Sequence, residues 1–534
     1  MNRGRRPPQD AGAGVPPGPP GAGGDPVPPH VNPRGEPGLD VILEEVETVV
    51  DPIAESAAFG PAMGIGAAGG PMVQLPPDEP APRLVGSDNS VRAGLLQAGP
   101  VAVAGLLVNG ISVLVVIAVA RLVTSRSYGE IAQLLGLFFI LSMPGSAVLV
   151  GVVRRVTGLQ ATGQAGLVRP WVARVHRLCL VAIGIELILV LALQGWIAHQ
   201  LRLASSDGVV LILMAAGIWI VLSVDRGLLQ AHRSYPQLAT NLLIEGGMRS
   251  ACIIVFVAAG TGVIGYALGV FVGEVVATVH AHWSARRAWA DPATAPVVRD
   301  AGSLAPVVDA PPEEILARRK LLADVSAAFV GLALLGFLQN VDVILLGRLD
   351  HGNAGPYAAI SVASKGLVFG ALALGAYLLP EATIRWNEGG HAIRQLGVTL
   401  LFLAVPAALL LGIAVFIPRQ VLTLVFSARL STAAPAFAPL VLAMMCLSFT
   451  VLVTNYLFGT GSRWIVLLLV ASSGLAVVLV TVADGHPRST ALADLFVQAL
   501  LALGMGVAFV GVHLRHRGQH WSRRRGWQRI AAND

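Results

Sequence analysis

From about Val91 onward the chain is a succession of long apolar runs separated by short polar stretches. A hydrocarbon core of about 30 Å takes about 20 residues of α-helix to cross. Twelve runs meet or approach that length, at roughly 95–120, 130–152, 173–195, 208–225, 237–260, 262–283, 321–347, 355–379, 395–417, 433–459, 464–484 and 490–514. The fourth is the shortest. The pattern predicts an all-α membrane protein with about 12 transmembrane helices. Residues 1–92 read differently, with 18 of the 34 prolines in runs such as GVPPGPPGAGGDPVPPH. Such a segment buries too little apolar surface to offset its chain entropy and is expected to be disordered. Its start lacks the apolar core of a signal peptide. DVILEEVETVV, residues 40–50, is an apolar island there, either a patch in a disordered tail or a short helix that folds on a partner.

Charge placement turns the runs into a topology. Arg154, Arg155, Arg169, Arg174 and Arg177 surround the gap between the second and third runs. Arg286, Arg287, Arg299, Arg318, Arg319 and Lys320 lie between the sixth and seventh, and Arg515, Arg517, Arg523, Arg524, Arg525 and Arg529 follow the last. With 12 helices all three groups share one side. The other side keeps only Arg121, Arg126, Arg202, Arg348, Arg419, Arg429 and Arg488. The excess of basic residues in cytoplasmic loops then places both termini in the cytoplasm of a multi-pass protein of the cytoplasmic membrane. The stretch 284–320 carries Pro292, Pro296, Pro306, Pro311 and Pro312 and reads as a cytoplasmic linker. The expected organisation is a tail (1–92), a six-helix bundle (93–283), the linker, a second six-helix bundle (321–514) and a basic cytoplasmic tail (515–534).

Composition agrees. Charged residues are 13% and hydrophobic residues 54% of the chain, with mean hydropathy +0.70, whereas soluble domains carry about 25% charged residues. The pI near 9.6 invites nucleic acid as a partner. The net charge, however, is −6 over residues 1–92 and +12 over the rest, so the basic excess belongs to the membrane part. The tail WSRRRGWQRI suits an anionic leaflet better than nucleic acid. Cys179, Cys252 and Cys446 lie in apolar runs and offer no disulfide framework.

The two halves are weakly alike. Leu95-Leu96 opens a run ending in Ala120-Arg121-Leu122, then Tyr128-Gly129; Leu321-Leu322 opens one ending in Gly347-Arg348-Leu349, then Tyr357-Ala358. Internal repeats of this kind build many transporters, with the substrate held between them. ARLVTSRSYGEIA, RGLLQAHRSY, NVDVILLGRL, AGPYAAIS and LLPEA, in that order and spacing, resemble the polysaccharide and lipid-linked-oligosaccharide flippases of the multidrug/oligosaccharidyl-lipid/polysaccharide (MOP) exporter superfamily. The resemblance covers about residues 91–514. It implies the MATE-like fold, two six-helix bundles around a central cavity open alternately to each side. It also implies a function in polysaccharide biosynthesis for the cell envelope, the movement of polyprenyl-diphosphate-linked sugars across the cytoplasmic membrane. Partners would be the lipid-linked glycan, membrane lipids, and glycosyltransferases or a polymerase of the same pathway. The stretch Ala93 to Ala120 contains no arginine, which argues against the peptidoglycan-precursor branch.

Ionisable residues inside such helices are few and costly, and by default face a cavity or a partner. Asp342, in FLQNVDVILLGRL, has a candidate partner in Lys365 if a short turn near 350–354 makes a hairpin of the two helices. A lysine stem spans the remaining difference in depth. The pair either locks the hairpin or lines a cavity where Lys365 meets a diphosphate; Gln339 and Asn340 extend the polar patch. Glu245 and Arg249, at i and i+4, share a helix face, and Arg249 is a second anion-binding candidate because a guanidinium matches phosphate bidentately. Glu274 has no obvious sequence partner and is a candidate for ion coupling, or for a hydrogen bond to a neighbouring helix. Glu186 and Asp494 are lone acids. Gly246 and Gly247 would admit a close helix or a bend, and Asn109 and Asn455 would bond between helices. Pro144 and Pro406 are expected to kink their helices.

There is no phosphate-cradling G-x-x-x-x-G-K-[ST] motif, and no nucleophile, base and orienting group occur together, so a non-enzyme without cofactors is expected. His516 and His520, and His280 and His282, make poor metal pairs, so no metal site is expected. Two alternatives to the flippase remain. One is a cation-coupled small-molecule or drug exporter of the same fold. The other is a non-transporting membrane scaffold for glycan synthesis, recruiting enzymes through its proline-rich tail.

Overall fold

The computed structural model describes residues 87–161, 164–290, 312–387, 393–459, 462 and 464–530. The expectations for residues 1–86, including the island at 40–50, lie outside them. The described residues form helices joined by short turns, with no strand among them. In chain order the helices are α1 (Ser87–Leu122), α2 (Ser125–Ala161), α3 (Val168–Leu201), α4 (Asp207–Ala231), α5 (Tyr235–Phe256), α6 (Gly262–Ala290), α7 (Pro312–Leu349), α8 (His351–Asn387), α9 (Ile393–Phe416), α10 (Pro418–Val425), α11 (Ala434–Gly459), α12 (Ile465–Val482) and α13 (Pro487–Ile530). Apart from the short α10, these are 12 long helices among the described residues. α6 runs on to Ala290 and α7 starts at Pro312, so both ends of the stretch read as a linker are helical; 291–311 lies outside the described residues. Helix α13 continues beyond the apolar run to Ile530.

The surface is that of a multi-pass membrane protein. Leu401, Val405 and Leu409 of α9 are 69%, 70% and 67% exposed, and α3 presents Leu180, Ile185 and Ile188 in the same way. Meanwhile Asp342, Lys365, Glu245, Glu274 and Asp494 are buried. Apolar side chains outside with charges inside is stable only when lipid replaces water around the protein. Nine runs of described residues are long and apolar enough to cross a membrane.

Two hairpins position the charges. α5 and α6 are joined through Val257–Thr261, where Gly260 and Gly262 take φ of 86° and 57°, a left-handed backbone open to glycine at little cost. The chain reverses there, so Gly269 rests on Ile253 and Gly273 on Arg249. α7 and α8 turn at Asp350 alone, a tighter turn than 350–354. Pro406 lies inside α9 and Pro144 inside α2, both of which continue as helix through the proline.

The first six helices meet the rest along a seam that starts where α1 ends and α8 begins. Going along α2, Gly129 faces Ala354 and Gly355, Gln133 packs on Gly347, Gly136 faces Asn340 and Ile344, and Met143 covers Gly336. Gln133 Nε2 donates to the Ile344 carbonyl at 3.1 Å, and the rings of Phe139 and Phe369 lie 5.7 Å apart. At the rim Arg121 donates to the carbonyls of Leu424 and Val425 while Arg429 donates to those of Ala120 and Arg121. Beyond Met143, α2 turns to its own half: Gly145 packs on Trp219 and Gly227 on Val152.

Candidate functional site

The first half holds a charge cluster drawn from α4, α5 and α6. Arg226 donates through Nε to Asn241 Oδ1 at 2.7 Å and through Nη2 to Glu245 Oε2 at 2.6 Å. Arg249 donates through Nη1 to Glu245 Oε1 at 2.7 Å and to Glu274 Oε1 at 3.3 Å. Asn241 Nδ2 donates to the Ala277 carbonyl at 2.8 Å, tying α5 to α6. The Arg226 guanidinium also lies 5.3 Å from the Trp219 ring centre, a cation–π distance. Two arginines thus balance two carboxylates. The expected Glu245–Arg249 pair forms. Glu274, read as partnerless, is paired with Arg249, because the tight α5–α6 turn brings residues 249 and 274 to one depth; its Oε2 has no hydrogen-bond partner among the described residues. Arg226 lies just past the fourth apolar run and is not among the residues singled out from sequence. Gly246 admits α1 at Val108, whereas Gly247 faces open space.

The second half holds another cluster, from α7, α8 and α13. Lys365 Nζ is 3.8 Å from Asp342 Oδ1 and donates to Asn340 Oδ1 at 3.2 Å. Tyr357 donates to Asp342 Oδ2 at 3.0 Å. The single-residue turn explains this division. Asp342 lies eight residues before Asp350 and Tyr357 seven after it, so the tyrosine is level with the carboxylate, and Lys365 reaches it only with its long stem. Asp494, read as a lone acid, belongs here too; Gln498 Nε2 donates to its Oδ1 at 3.2 Å and to the Leu338 carbonyl at 3.3 Å. Asp342 Oδ1, Asp494 Oδ2, Gln498 Oε1, Gln339 Nε2 and Ser361 Oγ are buried without a hydrogen-bond partner among the described residues. Two carboxylates face one ammonium, an excess of acid over base.

Of the residues singled out from sequence, Glu245, Arg249 and Glu274 come together in one cluster and Asn340, Asp342 and Lys365 in the other. Gln339 is buried beside the second. No hydrogen bond or ion pair among the described residues joins the two clusters. Asn455 bonds back to its own helix at Val451 rather than to a neighbour, and the carboxyl of Glu186 lies against Gly217 of α4. An open depression of about 830 Å³, lined by Arg121, Arg419, Gln420, Thr423, Leu424, Phe426 and Ser427, shares no residue with either cluster.

Twelve long helices among the described residues, with charges buried inside each half, make up the MATE-like fold. Two solved structures share the architecture. A multidrug resistance MATE family transporter of the MOP superfamily, in an inward-facing conformation, matches with a TM-score of 0.52 at 16% identity, over 76% of this chain and 94% of that one. The lipid II flippase MurJ, in an inward closed conformation, matches with a TM-score of 0.56 at 11% identity, over 78% of this chain and 90% of that one. No protein-family model and no curated protein sequence matches the chain.

Proposed function

We propose that the chain is a membrane transporter that flips a polyprenyl-diphosphate-linked oligosaccharide across the cytoplasmic membrane by alternating access, both termini lying in the cytoplasm. The observation that carries this reading is the pairing of buried cations with carboxylates at depth in both halves of a flippase-type fold. Arg249 and Lys365 each lie 14 residues beyond the start of their helix, about 21 Å along it at ~1.5 Å per residue, well inside the hydrocarbon span. A guanidinium or ammonium there needs a counter-anion at all times. Glu245, Glu274 and Asp342 supply it at rest, and a substrate diphosphate exchanges with them, held by Arg249, Lys365 and the amides of Asn340 and Gln339. The lipid tail stays in the bilayer. Uptake of a proton or other cation by Asp342, Glu245 or Glu274 during that exchange couples the step to an ion gradient or the membrane potential. On this reading the seam closes the outward end of the molecule.

The acid excess of Asp342 and Asp494 over Lys365 favours a second reading, a cation-coupled exporter of small molecules. Mass spectrometry of polyprenyl-diphosphate-linked sugars after depletion of the protein separates the two. The flippase predicts accumulation of one such lipid, relieved by wild type and not by Lys365→Ala. Accumulation relieved equally by both leaves the flippase with Lys365 as a structural residue only. No accumulation moves the assignment to the small-molecule exporter.

A further inference from the structure

A third cluster takes no part in either of the charged centres. It joins α3, α4 and α6 at the end of the first half remote from the rim of the seam. His176 Nε2 lies 3.1 Å from Asp225 Oδ1, and His282 Nδ1 lies 3.4 Å from Oδ1 and 3.3 Å from Oδ2 of the same carboxylate. The two imidazole rings meet edge to face, centres 5.3 Å apart. One nitrogen from each ring and one carboxylate oxygen all lie within 4.8 Å of one another. Asp225 is 1% exposed, His176 17% and His282 41% by side chain, so the carboxylate is sealed and one imidazole opens to the exterior.

We propose that His176, Asp225 and His282 bind a divalent transition-metal ion of the zinc class, tying the ends of α3, α4 and α6 together. Three observations support it. The donor set, two imidazoles and one carboxylate, is one that zinc and its neighbours favour. Zinc bonds of about 2.0–2.2 Å in a tetrahedron separate adjacent ligand atoms by about 3.3–3.6 Å, close to the nitrogen–oxygen distances found here. Finally, His176 Nδ1 lies 3.1 Å from the Val172 carbonyl. A carbonyl only accepts, so Nδ1 carries the hydrogen and Nε2 turns its lone pair toward Asp225, the second-sphere arrangement that orients a metal-bound histidine. Without a metal, that contact requires a doubly protonated ring. The fourth coordination position falls to water or an exogenous anion entering past His282.

His280 and His282 make a poor metal pair on sequence grounds, since a helical spacing of two splays them apart. They do diverge, His280 toward Asn241 at 3.2 Å and His282 toward Asp225. The missing ligand, His176, comes from a helix more than 100 residues earlier in the chain.

The test uses the full-length, tag-free chain in detergent, stripped with chelator and titrated with Zn²⁺ by calorimetry and with Co²⁺ by visible absorption. The expected result is one ion per chain, a tetrahedral Co²⁺ spectrum, and binding weakened at least about tenfold in both His282→Ala and His176→Gln, as loss of a ligand demands. His282 is partly exposed, so its variant keeps the fold, verified by gel filtration. A His516→Ala/His520→Ala variant binds as wild type. A wild-type chain that takes up no Zn²⁺, or binding that survives in either ligand variant, overturns the site.

Discussion

At the scale of single residues, the clusters respond to substitution as coupled groups. Removing one partner of a buried ion pair strands the other charge and costs about 3–5 kcal/mol, whereas replacing both with apolar or neutral groups of similar size is often close to neutral. Lys365→Met leaves Asp342 buried beside Asp494 with only Tyr357 as donor. Its apparent Tm in detergent is expected to fall well below that of the Asp342→Asn/Lys365→Met double variant; equal midpoints would show that the 3.8 Å pair contributes nothing. Arg226→Gln is expected to destabilise more than Arg249→Gln in the same assay, since Arg226 is the more buried of the two (4% against 12% exposed by side chain) and its contacts, at 2.7 and 2.6 Å, are shorter than the 2.7 and 3.3 Å of Arg249. The sequence made part of this legible. Glu245 with Arg249 follows from helical spacing, and Asp342 with Lys365 from counting back from a turn. The same count about Gly260–Gly262 pairs 249 with 274, and about 233–234 it pairs 226 with 241, so these partners were within reach. Asp494 and the His176–Asp225–His282 group were not, because Asp494 and His282 come from helices that are not chain neighbours of those they meet, and apolar periodicity carries no information about such registers.

Among elements, α2 against α7 and α8 decides whether one end of the molecule is shut. A Cβ at Gly129 would lie 2.5 Å from Ala354 Cβ and 2.9 Å from the Gly355 backbone nitrogen, and neither can yield without moving α8. Gly129→Val is therefore expected to hold the seam apart. A cysteine placed at Met143, now buried against Gly336, should then react with a membrane-impermeant maleimide added from the seam side; unchanged protection would mean that the helices accommodate the wedge. The reciprocal arginines act at the rim of the same seam. Arg121 caps the last carbonyls of α10 and Arg429, just beyond α10, those of α1, each meeting the negative end of a helix. Arg429→Gln should raise the same labelling, by less than the glycine wedge because its contacts are exposed to solvent.

For the whole molecule, the distribution of charge determines what can move. Among the described residues each half closes its own ion pairs, and what crosses between halves is carbonyl hydrogen bonds, glycine contacts, two aromatic pairs (Tyr128 with Phe426, Phe139 with Phe369) and apolar packing. Buried cations left without a counter-anion in lipid would cost several kcal/mol each, so the low-cost motion is rocking of the two halves about the seam, with Arg249 and Lys365 paired throughout, by carboxylates or by substrate. Spin labels test this. Labels at Arg169 and Gln237, exposed near the starts of α3 and α5, report on the first half alone. Labels at Arg169 and Trp464, before α12, span the two halves at the end away from the seam rim. In lipid nanodiscs the first pair is expected to give one narrow distance distribution, and the second a broad or two-peaked one that shifts toward longer distance when a disulfide locks the seam shut. Equal breadth in both pairs would show that helices move within a half rather than the two halves rocking as bodies.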